Sequence, residues 1–135
     1  MTMIVVTRLR LRDPRFFDDF FASAIAAVQQ AESSDGNLGA EVLAEAHNTY
    51  WTRTCWENED AMRLFMLADP HRSTMDRIDE WFDEATFVNW QQTETALPEW
   101  DVAYERLSAH GHVVDLRDAS PDNAHLTFPP PSKSQ

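Results

Sequence analysis

His71 stands four residues before Met75 and in step with Ile78 and Phe82, just after Asp69-Pro70. Side chains three and four apart share one face of a helix, so this spacing predicts an inward-facing His71 beside Met75 and Phe82 near the start of a helix. The positive end of the helix dipole disfavours an imidazolium there. That suits a neutral base, a hydrogen-bond donor or a metal ligand; the bland alternative is a half-exposed histidine bonded to nearby backbone. The chain also carries five tryptophans, Trp51, Trp56, Trp81, Trp90 and Trp100. Indoles can wall a pocket for a planar ligand, although most pack cores. Trp56, at the end of a strand and just before a helix, is the one the spacing places in a pocket. Met62, Met66 and Met75, with Phe65 and Phe82, supply an adaptable apolar lining or ordinary core.

Other chemistry-bearing types give weaker signals. His110 and His112 flank a glycine and find no third ligand at a convincing spacing, so they read as a helix end and a loop rather than a metal site. Cys55 alternates within a strand and reads as buried and inert; a nucleophilic role needs a nearby base and a lowered pKa. With glycine only at Gly36, Gly39 and Gly111, no phosphate-cradling loop is present, which argues against nucleotide cofactors. Arg8, Arg10 and Arg53 are expected to pair with Glu41 and Glu45 on the polar rows of a sheet.

The elements that must position these groups follow from periodicity. Met3–Leu11 reads as a strand whose first half is apolar on both faces. Asp13-Pro14 is an N-cap followed by proline in the first turn, and Phe17, Phe20, Phe21, Ala24, Val28 and Ala31 then form one helical stripe. Ser33–Gly36 ends that helix. Leu38–Ala46 and Thr49–Trp56 read as a hairpin around His47-Asn48, and Asn58 caps a short helix carrying Met62 and Phe65. A second helix after Asp69-Pro70 carries Met75, Ile78 and Phe82 inward. Ala85–Thr93 is a strand, and Trp100–Ala109 a short amphipathic helix closed by His110-Gly111.

The order β-α-β-β-α-β is the split βαβ arrangement of a ferredoxin-like α+β domain with an antiparallel sheet, spanning residues 1–111. Residues 112–135, rich in Asp, Pro, Ser and Asn, are expected to form an extended or partly ordered tail, dispensable for folding and pinned by Leu126 and Phe128. Helices on one face only would leave Ile4, Val6 and one row of Thr49–Trp56 uncovered. A homodimer that packs the two sheets together satisfies that face.

Composition bounds the function. The 135 residues suit one domain, and 43% hydrophobic content is enough for a core. With 11 basic and 23 acidic side chains the net charge is −12, which disfavours nucleic acid and anionic membrane surfaces. The apolar runs fall well short of the roughly 20 residues a membrane span needs. A lone cysteine and no secretory pattern at the N-terminus lead to the expectation of a cytoplasmic, soluble protein.

The stretch Thr54-Cys55-Trp56-Glu57-Asn58-Glu59-Asp60-Ala61-Met62-Arg63-Leu64-Phe65, with Pro70-His71-Arg72, Trp81-Phe82, Val88-Asn89-Trp90 and Arg106-Leu107 through His110-Gly111, resembles the dimeric α+β barrel superfamily. Within it the likeness is to antibiotic biosynthesis monooxygenases, and more nearly to an uncharacterised branch. The resemblance spans roughly residues 3–111. It implies a monooxygenase-like protein, oxidising a small planar apolar metabolite (phenolic or polyketide-like) without a cofactor. His71 would be the catalytic base or orienting donor; Trp56, Phe65, Met75 and Phe82 would form pocket walls, and Thr7 a hydrogen-bonding group. Haem-degrading members use an asparagine, a tryptophan and a histidine where Thr7, Phe65 and Met75 stand, so haem is disfavoured. The rival readings are a non-catalytic binder of a hydrophobic metabolite or haem, and a cyclase or isomerase.

Overall fold

The computed structural model describes residues 1–131; the last four residues of the expected 112–135 tail lie outside the described residues. Five antiparallel strands form one sheet in the order β2-β3-β1-β4-β5, with β1 at Thr2–Leu11, β2 at Asn37–Glu45, β3 at Thr49–Trp56, β4 at Phe82–Gln92 and β5 at His112–Val113. The α+β class and the ferredoxin-like order are as the sequence predicts. The β2–β3 hairpin closes through His47 and Asn48, both at positive φ, 63° and 59°. Such a two-residue turn matches the twist of the flanking strands.

Helix α1 (Phe17–Ser33) follows a short 3-10 turn in which the Asp13 carboxylate accepts from Arg15 N at 2.9 Å. Helix α2 (Glu59–Leu67) is capped by Asn58, whose side-chain oxygen accepts from Ala61 N at 2.9 Å. Both caps are legible in the sequence.

The expected second helix is not continuous. It divides into α3 (His71–Met75) and α4 (Ile78–Trp81), with Phe82 already the first residue of β4. Arg77, at φ −102° and ψ 7°, leaves the helical region between the two pieces, and its N–H bonds back only three residues, to Thr74 O. The strand wins at Phe82 because its ring enters the core with Leu11 and Phe20, and because the acidic pair after it finds cations on β1. Arg8 meets Glu84 at 2.6 Å, and Arg10 meets Asp83 at 2.9 Å and Glu84 at 3.1 Å. Among the described residues Arg53 takes the expected partner Glu41, and Glu45 accepts from Trp51 Nε1 at 2.6 Å.

The largest departure is in the layers. Helix α5 (Trp100–His110) lies across the face that was expected to await a second copy. Ile4, Val6, Trp51, Cys55 and Val88 pack there against Trp100, Ala103 and Leu107. The segment after Gly111 adds Phe128 to that cover and packs also at the β4 edge and on the α1-side cluster. It adds β5 beside β4, buries Leu116 against the Leu11–Phe20 cluster, and sets Phe128 edge-on to Trp51 at 5.8 Å. Buried Asn123 accepts from Ala85 N at 2.8 Å and donates to Val114 O at 3.2 Å. Poor in apolar residues of its own, the segment borrows the domain's core. The sheet therefore has helices on both faces, and Ile4 and Val6, expected to face a second copy, are covered within the chain.

Candidate functional site

Three of the residues singled out from the sequence come together. Trp56 and Phe65 have ring centroids 5.0 Å apart, and Phe65 and His71 4.7 Å. The stack is held by Gln30 of α1, whose amide oxygen accepts from His71 N at 2.8 Å and whose amide nitrogen donates to the carbonyls of Phe65 and Ala68 at 3.1 and 3.2 Å. His71 Nδ1 lies 3.3 Å from Met66 O. A carbonyl only accepts, so Nδ1 carries the proton in this contact and Nε2 is left as the acceptor. Burial pushes the His71 pKa down, against a smaller upward pull from that carbonyl, so the ring is neutral at pH 7. Trp56 is fully buried and donates to Thr54 Oγ1 at 2.9 Å. This is a packed wedge between α1, α2 and α3.

The other three residues lie elsewhere. Phe82 belongs to the Leu11–Phe20 cluster on β4, and Met75 is exposed at the end of α3, so the inward stripe expected to join His71, Met75 and Phe82 does not form. Thr7 sits half-buried in mid-sheet, paired with Thr52 on β3 and Phe87 on β4.

Open space gathers instead between α1 and the β2–β3 hairpin, in a groove of about 340 Å³. Phe20, Phe21, Ala24, Ile25 and Val28 form one wall; Val42, Ala44 and Tyr50 form the other. The register pairs Val42 with Thr52 and Ala44 with Tyr50, so these side chains share the helix-facing side. Ala24 opposite Ala44 leaves unfilled the volume that larger side chains would occupy. Phe21, Ile25 and Val42 are 48, 43 and 43% exposed as a result. Gln29 and Glu32 supply the polar groups of α1 in this lining. Tyr50 is buried, packs on Phe20 at 4.8 Å, and is pushed up in pKa by desolvation, so its hydroxyl stays protonated and can donate. Sequence reasoning missed this site. Its signal was present in the small residues of the α1 stripe and of β2, at positions where a closed layer needs bulk.

Among the described residues no group of three His, Cys, Asp or Glu side chains converges to hold a metal ion, and no helix is long and apolar enough to cross a membrane. Cys55 is buried, its thiol pushed up in pKa by desolvation and 3.6 Å from Thr95 O. The residues do not fit a haem held in the manner of the haem-degrading proteins. Phe65 is closed into the wedge, Met75 offers a thioether in place of an imidazole, and the His71 ring packs on Phe65.

The family model described as a domain of unknown function, DUF3291, matches residues 13–131. No curated protein matches the chain. Solved structures show the same fold at low identity. Rv0793 from Mycobacterium tuberculosis is 11% identical with a TM-score of 0.63, covering 70% of this chain and 97% of its own. SnoaB, a cofactor-independent oxygenase from Streptomyces nogalater, is 18% identical with a TM-score of 0.55, covering 73% and 98%. A protein described as an antibiotic biosynthesis monooxygenase is 10% identical with a TM-score of 0.60, covering 68% and 99%. The chain thus has the fold of the dimeric α+β barrel superfamily. Nearly all of each neighbour matches only about seven-tenths of this chain, so the remainder is additional here.

Proposed function

The chain belongs to the DUF3291 family, and from that premise we propose that it is a monooxygenase-like protein that binds a small planar apolar molecule in the α1/β2–β3 groove. The observation that carries this reading is the groove itself: an almost wholly apolar slot, open at one side, with a protonated Tyr50 in its wall. Pockets for small metabolites combine such walls with a few polar groups that fix orientation. A phenol fits, its ring between Phe21, Val28 and Val42 and its oxygen toward Tyr50. Tyr50 donates to the phenolic oxygen and steadies the phenolate that forms there, its proton passing to solvent at the open side of the groove. In cofactor-independent oxidation the anion gives its electrons to dioxygen. One oxygen atom ends in the product carbonyl, and the other leaves as water with the protons lost from the substrate.

Naphthol tests both halves of the proposal. Its fluorescence should change on binding, and the change should vanish in Ala24→Phe, which fills the groove. Oxygen uptake should follow, and Tyr50→Phe should reduce uptake while binding persists. Naphthol binding that survives Ala24→Phe puts the site elsewhere. One observation favours a second reading, a non-catalytic binder: among the described residues Glu32 and Tyr50 are the only titratable groups in the lining, and Glu32 is exposed. Binding without oxygen uptake supports that reading.

A further inference from the structure

The groove between α1 and the hairpin is longer than a phenol. Tyr50 packs against Phe20 at 4.8 Å and lies 6.4 Å from Phe17, which sets its ring beside the first turns of α1. The lining continues along α1 through Val28 and Gln29 to Glu32. The twelve residues from Phe20 to Glu32 rise about 18 Å in a helix, so Glu32 stands at the other end of the slot from Tyr50. The electrostatics of that end have one sign. Glu32 is exposed, and its carboxylate makes no ion pair or hydrogen bond among the described residues. It lies in the last turn of α1, where the partial charge of a helix is negative and no basic side chain offsets it. Among the described residues the lining holds no arginine, lysine or histidine.

Resting on the reading of this groove as the site of a planar molecule, we propose that the molecule is an arylalkylamine, its ring in the slot and its protonated amine, on a short chain, at Glu32. An ammonium is the group that this end recognises, because it only donates hydrogen bonds and acceptors are what it meets. The Glu32 carboxylate and the Gln29 amide oxygen, three residues apart on one helix face, both accept. An anion meets the Glu32 carboxylate and the negative end of the helix together, and an uncharged chain end leaves both to water. A ring between Phe21, Val28 and Val42, with its hydroxyl toward Tyr50, directs its para substituent along α1 toward Gln29. Helical side chains lean back toward the N-terminus, which brings the Glu32 carboxylate down to meet a chain of a few atoms. Glu32 thus takes part in recognition, and the chemistry at the phenolic oxygen stays with Tyr50 at the other end.

Tyramine, para-ethylphenol and para-hydroxyphenylpropionate share one ring and one hydroxyl and differ in charge at the chain end. Each is titrated against the full chain with naphthol bound, and the reversal of the naphthol fluorescence change reads displacement. Tyramine should displace naphthol at about a fifth of the concentration that para-ethylphenol needs, the size of an exposed ion pair, and para-hydroxyphenylpropionate should need several-fold more. Glu32→Gln should bring the three together. Glu105→Gln, an equal loss of charge at an exposed position of α5, should leave the order intact. Displacement in an order blind to charge overturns the amine and leaves the groove reading standing. A preference for tyramine that survives Glu32→Gln also overturns it, as does one that Glu105→Gln removes as fully, since each is the pull of the net charge of −12. Naphthol that never binds removes the groove reading, and the amine with it.

Discussion

Both faces of the sheet carry apolar rows, and they differ in what lies across from them. On the α5 side, Ile4, Val6, Trp51 and Val88 meet Trp100, Ala103 and Leu107, and the layer closes until most of its members are inaccessible to water. On the α1 side, beyond the ends anchored by Phe20 and Ala31, small residues face small residues, and a groove remains with Phe21, Ile25 and Val42 half in solvent. Interiors reach near-crystalline density where side chains interlock; where they do not, a cavity or an exposed apolar surface is left. The closed face accounts for the stability of the domain, and the open one is where a ligand can bind. The five-residue and four-residue lengths of α3 and α4 belong to the same contrast, since neither is long enough to cover the sheet as α5 does.

Three measurements would break or sharpen that contrast. The largest effect is expected at the ion pair that ties the closed side together. Glu84 and Arg8 are both buried, Arg8 Nε has no partner among the described residues, Phe128 covers the guanidinium at 4.7 Å, and Ser120 donates to Glu84 at 2.7 Å. Glu84→Ala leaves a buried cation unmatched and should cost about 3–5 kcal/mol in urea unfolding. A loss near zero would mean that water reaches the pair.

Next comes the packing itself. Leu107→Ala should lose roughly 2–5 kcal/mol, whereas Phe21→Ala, on the open side, should stay within about 0.5 kcal/mol while weakening naphthol binding. Equal losses would mean that the α1 side is as tightly packed as the other and that the groove closes in solution.

The smallest effect is the pH dependence of the aromatic wedge. The folded-state pKa of His71 lies below its ordinary value of 6.5, so the unfolded chain binds a proton that the folded chain refuses. The resulting stability is present above pH 6.5 and is lost as pH falls toward the depressed folded value. His71→Gln should flatten this slope and leave the rest of the acid limb unchanged. An unchanged slope would show that His71 is open to solvent.

Much of the chain was legible from residue order alone. Alternation and turn chemistry predict β1, the β2–β3 hairpin and its His47-Asn48 turn. The polar residue ahead of each apolar run predicts the Asp13 and Asn58 caps, because a cap is satisfied by backbone a few positions away. α5 appears within one residue of its expected end. All of these depend on neighbours close in sequence. The break between Met75 and Ile78, the early start of β4, the partner of each arginine and the position of the groove depend on groups far away. Asp83 and Glu84 look unsuited to a strand until Arg8 and Arg10 stand beside them, more than seventy residues distant. Likewise, a helical or strand period states which side chains share a face and is silent about what that face meets. Ile4 and Val6 therefore asked for a cover without specifying α5, and Ala24 and Ala44 each read as ordinary apolar positions until the fold set them across from one another. Trp56, Phe65 and His71 met because strand β3 leads directly into α2 and α3, whereas Met75 and Phe82 were separated by where the second helix broke, and Thr7 stayed in mid-sheet on β1. Local hydrogen bonding and periodicity thus determined the elements, and the volumes and charges brought together by tertiary packing decided which surface closed and which stayed open.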